Sequence, residues 1–273
     1  MEGAIMQQAT FFDTEWRESP NPHQGARLYY SGANRPYDAH GLIRAGVAVG
    51  VAAPELGKET ARLLVDYTRV GGQVFVDSGA FPSSRKGQEL DFRQQVFPVY
   101  KRLLDAGAIA DNVLLVAPDY VGNQARSRSL LAEHQNAVRR LLARGASVMI
   151  PLQKGLIPTA WLWREAVAMF GADGLVAGIP SRDAAFSVED LQQFLHSACP
   201  ARLHMLGLGA DKARLLPSLA LVAQMAPNTL VSYDAPPESE HISVPEGGLP
   251  NVSMPWCRPK AVGSERRRLP RLG

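Results

Sequence analysis

Eight short apolar runs, spaced by helix-like segments between residues 27 and 235, constrain this chain more than any other feature. They are Arg27–Ser31, Gly46–Ala52, Gln73–Val76, Val113–Ala117, Ser147–Leu152, Leu175–Ala177, Leu203–Leu206 and Leu230–Ser232. Most do not alternate apolar with polar, the pattern of parallel strands covered on both faces. The intervening segments have helical periodicity. Ser129–Arg144 gathers Leu130, Ala137, Val138, Leu141 and Leu142 on one face, with Gly145 as the stop. Val96, Val99, Tyr100, Leu103 and Leu104 form a similar stripe before Gly107. Ser187-Val188-Glu189-Asp190 is a capping sequence, and Leu215–Met225 is helical if Pro217 sits in its first turn. Eight alternations favour a (β/α)8 barrel over an open doubly wound sheet. No G-x-G-x-x-G opens the first βα turn, and Gly207-Leu208-Gly209 comes far too late for a dinucleotide fold.

The predicted organisation is an N-terminal segment over 1–26, a barrel over 27–240 and a tail over 241–273. The tail is irregular, rich in Pro and Gly, and basic. Residues 258–273 carry six cations against Glu265, so they hold +5 of a net charge of +3 and leave the rest at −2. Such a tail attracts phosphate through counterion release, or simply keeps the protein soluble. With 46% hydrophobic and 20% charged residues the chain has the composition of a globular protein. The longest apolar runs fall short of the roughly 20 residues of a membrane span, and Met1–Met6 has no secretory pattern. Cys199 and Cys257 make no disulfide framework, so a cytoplasmic protein with reduced thiols is expected. Asp13, His23, Asp38 and His40 match no zinc spacing and read as surface residues.

In such a barrel the chemistry lies on the loops after the strands. Those loops carry Asp77-Ser78-Gly79-Ala80-Phe81, Pro118-Asp119-Tyr120, Gln153-Lys154-Gly155, Gly178-Ile179-Pro180-Ser181, Leu206-Gly207-Leu208-Gly209 and Tyr233-Asp234. Three carboxylates, an amide, an aromatic ring and several glycines would then surround one mouth. That set suits a planar heterocycle with amide edges. Taken singly, an Asp after a strand is an ordinary helix N-cap, and Phe81 is an ordinary core residue.

In order, these motifs resemble those of the tRNA-guanine transglycosylase superfamily. Asp77-Ser78-Gly79-Ala80-Phe81 resembles its D-S-G-G-[FY]-Q, and Leu152-Gln153-Lys154-Gly155 its [IV]-Q-G-G. Gly178-Ile179-Pro180-Ser181 resembles G-G-L-[AS], Met205-Leu206-Gly207-Leu208-Gly209 resembles L-M-G-[VL]-G, and Tyr233-Asp234 the F-D of the nucleophile. The resemblance implies base exchange by a pentosyl-transferring glycosyltransferase. Asp234 would attack C1′ of a guanine nucleotide, giving a covalent glycosyl–enzyme intermediate. Asp77 would be the general acid/base. Asp119, Gln153, Ser78, Leu206 and the backbone at Gly178 and Ile179 would hold the base, with Phe81 stacked on it. Lys154 would meet a phosphate or a substituent on the base. The implied mechanism needs no metal and no cofactor.

The departures bear on the polymer. Ala80 and Pro82 replace a Gly and a Gln of the first motif, and Lys154 replaces a Gly. After Asp234 the sequence has Cys257 and His241 but no C-x-C-x-x-C zinc set. In this it is most similar in character to the DpdA-type DNA 7-deazaguanine transglycosylases. That branch implies DNA and a preQ0-like 7-deazaguanine as partners, with accessory DNA-modification proteins, and no membrane. Arg126, Arg128, Arg139 and Arg140 would join the tail on the phosphates, or form a solvated face. The alternatives are a tRNA-acting enzyme, a nucleobase glycosidase and a non-catalytic partner subunit on the same barrel.

Overall fold

A computed structural model describes residues 25–85, 87, 89–180 and 186–237. The N-terminal segment before Gly25, the basic tail, Ser181, His241 and Cys257 lie outside the described residues. The described part is a closed barrel of eight parallel strands in the order β1 to β8, ringed by helices. The strands are β1 (Arg27–Tyr30), β2 (Ala48–Ala52), β3 (Val74–Asp77), β4 (Val113–Val116), β5 (Ser147–Pro151), β6 (Leu175–Pro180), β7 (Arg202–Leu206) and β8 (Leu230–Ala235). The helices are α1 (Pro36–Arg44), α2 (Lys58–Arg69), α3 (Ala80–Arg85), α4 (Phe97–Asp105), α5 (Gln124–Glu133), α6 (Gln135–Ala143), α7 (Thr159–Phe170), α8 (Val188–Ser197) and α9 (Lys212–Met225). The expected (β/α)8 architecture is therefore observed. Among the described residues no helix is long and apolar enough to cross a membrane.

Each strand divides its side chains between two cores. One face looks outward to the helices. In α2, Ala61, Leu64, Val65 and Thr68 form the buried stripe at helical spacing that meets it. The other face fills the barrel. Tyr29, Ala48, Phe75, Leu114, Val116, Met149 and Val176 pack into one interior cluster, with Leu206 against it. Ring contacts between Tyr29, Phe75 and His204 join β1, β3 and β7 across the interior. Gly178 belongs to this packing, since a Cβ there would lie 2.8 Å from Met149 Cγ.

Closure depends on β1 pairing with β8 in the register Tyr29↔Asp234 and Tyr30↔Ala235. The Ser31 N–H continues the ladder to the Ala235 carbonyl at 2.8 Å. This brings Ser31, at the start of the barrel, beside Asp234 at its end.

Two helices differ from expectation. The single helix over Ser129–Arg144 is two, α5 and α6, which meet at His134. His134 is buried and lies against Phe92 and Phe97, with ring centroids at 6.0 and 5.4 Å. α5 begins five residues earlier than expected because the Asn123 side chain caps it through Arg126 N–H at 3.0 Å. In α9, Pro217 is the sixth residue and lies outside the first turn, because Asp211 caps the helix upstream by accepting from Arg214 N–H at 3.2 Å. The box at Ser187 and Asp190 forms as expected.

Candidate active site

The C-terminal ends of the strands bring three acids into one electrostatic set. Asp77 ends β3, Asp119 follows β4 and Asp234 lies in β8. The charge of Asp234 acts on Asp77, and that of Asp77 on Asp119.

Asp77 owes its position to the turn that follows it. Gly79 has φ +80°, a conformation side-chain-bearing residues avoid, and a Cβ there would lie 2.9 Å from the Pro54 ring. Ser78 is buried, and its Oγ accepts from Ala80 N–H at 3.3 Å. Ser78 and Asp77 thus share the bonding of this turn, Ser78 at Ala80 and Asp77 at the N–H groups of Ser78 and Gly79. Burial raises the Asp77 pKa to about 6, the charge of Asp234 adds to this, and N–H groups of Gly79 and Ser78 offset part of it. Phe81 is half-buried in the first turn of α3.

Asp119 is nearly fully buried. Its pKa rises to about 7, first through burial and then through the charge of Asp77, against a hydrogen bond from Gln153. Gln153 Nε2 donates to Asp119 Oδ2 at 2.9 Å, and Gly122 N–H donates to Gln153 Oε1 at 2.9 Å. The orientation of Gln153 is fixed by these two bonds. A residue that sequence reasoning missed, Gln124, holds the same loop. Its Nε2 donates to the carbonyls of Gln153 at 3.0 Å and Ile157 at 2.8 Å, and its Oε1 accepts from Ile157 N–H at 2.8 Å. Gly155 packs so closely on Gln124 that a Cβ would come within 2.7 Å of it.

Asp234 has the opposite environment. Burial alone would raise its pKa, but donors outweigh that cost and hold it below the usual carboxylate value. His204 Nε2 lies 3.3 Å from Oδ1, Gly207 N–H donates to Oδ1 at 2.6 Å, and Ser31 Oγ donates to Oδ2 at 2.9 Å. Gly207 has φ +65°, and Gly209 N–H donates to the Asp234 carbonyl at 3.0 Å. A Cβ on Gly209 would meet that same carbonyl oxygen at 2.7 Å. The Gly207-Leu208-Gly209 motif therefore clamps Asp234 by both side chain and backbone. Oδ1 carries two donors and Oδ2 one, so a lone pair on Oδ2 remains for chemistry.

The other expected site residues are placed as follows. Ile179 turns its side chain outward, where it lines a small cleft with Leu191, Met205 and Leu208 under α8 and α9. Alternation along β6 forces this, because its neighbour Gly178 faces the barrel interior. The Gly178 carbonyl is taken by Leu152 N–H at 2.8 Å. Leu206 is half-buried on the interior face. Lys154 Nζ bonds Asp190 Oδ2 at 2.6 Å, which ties the β5 loop to the start of α8. Arg126 pairs with Glu89, Arg128 pairs with Glu165 and lies over the Trp161 ring, and Arg139 donates to the Met169 carbonyl at 2.9 Å. Those charges are therefore partly committed within the fold. Among the described residues no group of three or more His, Cys, Asp or Glu is arranged to hold a metal ion.

No family model matches the chain, and no curated protein matches it. Among solved structures, a lysine/ornithine decarboxylase complexed with cadaverine from Vibrio vulnificus superposes with a TM-score of 0.39 and 10% identity. The alignment covers 83% of this chain and 60% of that one, so the chain spans well under two thirds of that protein's length.

Proposed function

We propose that the mouth exchanges nucleobases: a guanine in DNA is replaced by a 7-deazaguanine through a covalent intermediate on Asp234. The observation that carries this reading is a pair of acids in one site with opposed surroundings, Asp234 ringed by three donors and Asp77 raised by burial and by the Asp234 charge. Asp234 is held ionised by its donors, while Asp77 is raised to about 6. Double displacement at a sugar carbon needs such a pair.

In the first step Asp234 Oδ2 forms a bond to C1′ as the C1′–N9 bond breaks. The electron pair leaves on N9, and protonated Asp77 supplies the proton that guanine needs to depart. In the second step the ionised Asp77 takes the N9 proton of the incoming base. N9 then attacks C1′ and releases the Asp234 carboxylate. Asp119 and Gln153 present a fixed donor and acceptor edge to the base, and Phe81 supplies a ring close to Asp77. A pKa near working pH lets one carboxyl act as acid and then as base. DNA as the polymer follows the sequence resemblance.

The test offers duplex DNA, single-stranded DNA and tRNA, each with labelled guanine or preQ0. Label entering DNA is expected. Label entering tRNA alone would overturn the polymer assignment. Abasic sites without label would make the enzyme a glycosidase. No product and no trapped adduct with any polymer would overturn base exchange.

A further inference from the structure

One group beside Asp234 has no part in the steps above. His204 is fully buried in the barrel interior, with its ring 4.8 Å from that of Phe75 and 5.9 Å from that of Tyr29. A polar ring in such a place is costly unless both nitrogens are satisfied. They are: Nδ1 lies 2.8 Å from Ser232 Oγ, and Nε2 lies 3.3 Å from Asp234 Oδ1. Ser232 Oγ also lies 3.5 Å from the Leu203 carbonyl, the limiting distance for a hydrogen bond. An ionised Asp234 carboxylate can only accept, so the contact at Oδ1 requires the ring proton on Nε2. In the neutral ring Nδ1 is then an acceptor and takes the hydroxyl proton of Ser232.

We propose that His204 is the positioning residue of this site: braced at Nδ1 by Ser232, it donates from Nε2 to Asp234 Oδ1 and so turns Oδ2 toward the mouth. Its position explains why it acts through Asp234 and does not touch substrate. Alternation along β7 puts His204 one layer deeper in the barrel than Leu206. The order Ser232, His204, Asp234 therefore runs outward, and the carboxylate, not the serine, is at the exposed end. The groups that face Asp234 from its surroundings are Asp77 on β3, which opposes its charge, and Ser31, Gly207 and His204, which support it. Glu55 acts in turn on Asp77, and Asp77 on Asp119.

The role in exchange rests on the reading of Asp234 as nucleophile, so the test has an arm that needs no turnover. In protein with ¹⁵N-labelled histidine, the His204 ring should give an Nε2–H, bare Nδ1 signature, and Ser232→Ala should perturb it. In ¹³C-aspartate protein, His204→Phe should raise the Asp234 pKa by about one unit or more, and His204→Gln, which keeps a donor, should restore most of the shift. In the exchange assay His204→Phe should slow adduct formation about a hundredfold with little change in KM, and His204→Gln should stay within about tenfold of wild type. An unchanged Asp234 titration in His204→Phe overturns the proposal, as does an imidazolium or Nδ1–H signature. If His204→Phe does not fold, the Ser232→Ala and His204→Gln spectra still decide it. Absence of exchange in the wild type counts against base exchange and leaves the spectroscopic result standing.

Discussion

Asp234 on β8 raises the pKa of Asp77 on β3 through its negative charge, while its own is held down by donors from β7, the turn after it and Ser31. Two like charges at one site cannot both be favoured, so the acid with more donors ionises and the other holds its proton longer. This asymmetry distinguishes the two acids and divides the proposed tasks between them.

Asp234→Asn should remove exchange activity by at least ~10³-fold, because a carboxamide cannot form the ester-like bond to C1′. Denaturing gels should show no protein–DNA adduct. The substitution also deletes a like charge, so the Asp77 pKa should fall, as read by ¹³C titration. An unchanged Asp77 would mean the two acids do not share a site.

The stability contributed by Asp77 and Asp119 should decrease as pH rises from about 4 to about 7. Their folded pKa values are raised from 3.8 to about 6 and about 7, so in that window these two sites bind more protons in the folded state than in the unfolded one. Their protonated forms are favoured at low pH, and the cost of ionising them is complete above the folded values. Asp119→Asn keeps the acceptor for Gln153 and removes the ionisation. It should stabilise the protein at pH 8 by about 2 kcal/mol and flatten the slope of urea-derived stability against pH. A slope equal to wild type would refute the burial argument for Asp119.

Gly209→Ala should damage the site more than its size suggests. The added Cβ would meet the Asp234 carbonyl oxygen at 2.7 Å and the Ala235 side chain at 2.5 Å. Overpacking of this kind costs about 1–3 kcal/mol, measurable by urea denaturation. Displacing β8 also moves Asp234, so adduct formation should fall at least tenfold. Gly57→Ala, with open space around the new Cβ, is the control and should do neither.

Gln124→Ala should cost about 2–4 kcal/mol, since it leaves the Gln153 and Ile157 carbonyls and the Ile157 N–H without their partner. The loop carrying Gln153 should loosen, which hydrogen exchange at residues 153–157 would detect as earlier opening.

Lys154→Ala should be nearly silent. Its pair with Asp190 is half exposed, so it contributes less than about 1 kcal/mol to thermal stability. If Lys154 met DNA phosphate, the substitution would also reduce the salt dependence of DNA affinity. With the ammonium committed to Asp190, an unchanged slope is expected.

Much of the site could be read from residue order alone. Asp77, Asp119, Gln153 and Asp234 were found because strand ends of a parallel barrel converge on one rim, and each follows an apolar run. The expectation for Ile179 concerns its backbone; its side chain faces outward, as alternation counted from Gly178 requires. The pair of Lys154 with Asp190 gave no signal in the sequence, because its partner belongs to the cap of the next helix. Ser31, Gln124 and His204 gave no motif at all. The one available signal for His204 was a polar ring two residues before Leu206 within an otherwise apolar strand.

Sequence by itself determined the eight strands, the barrel they form and the acids at their ends. Those features are local, since a run that is apolar on both faces declares its burial without reference to any partner. Tertiary structure decided what each acid is. Closure of β1 on β8 brings Ser31 to Asp234 across 203 residues of chain, and the β7–β8 pairing brings His204 and Gly207 to the same carboxylate. Protonation depends on burial and on which donors and charges lie within a few ångströms, and only the folded barrel sets those distances.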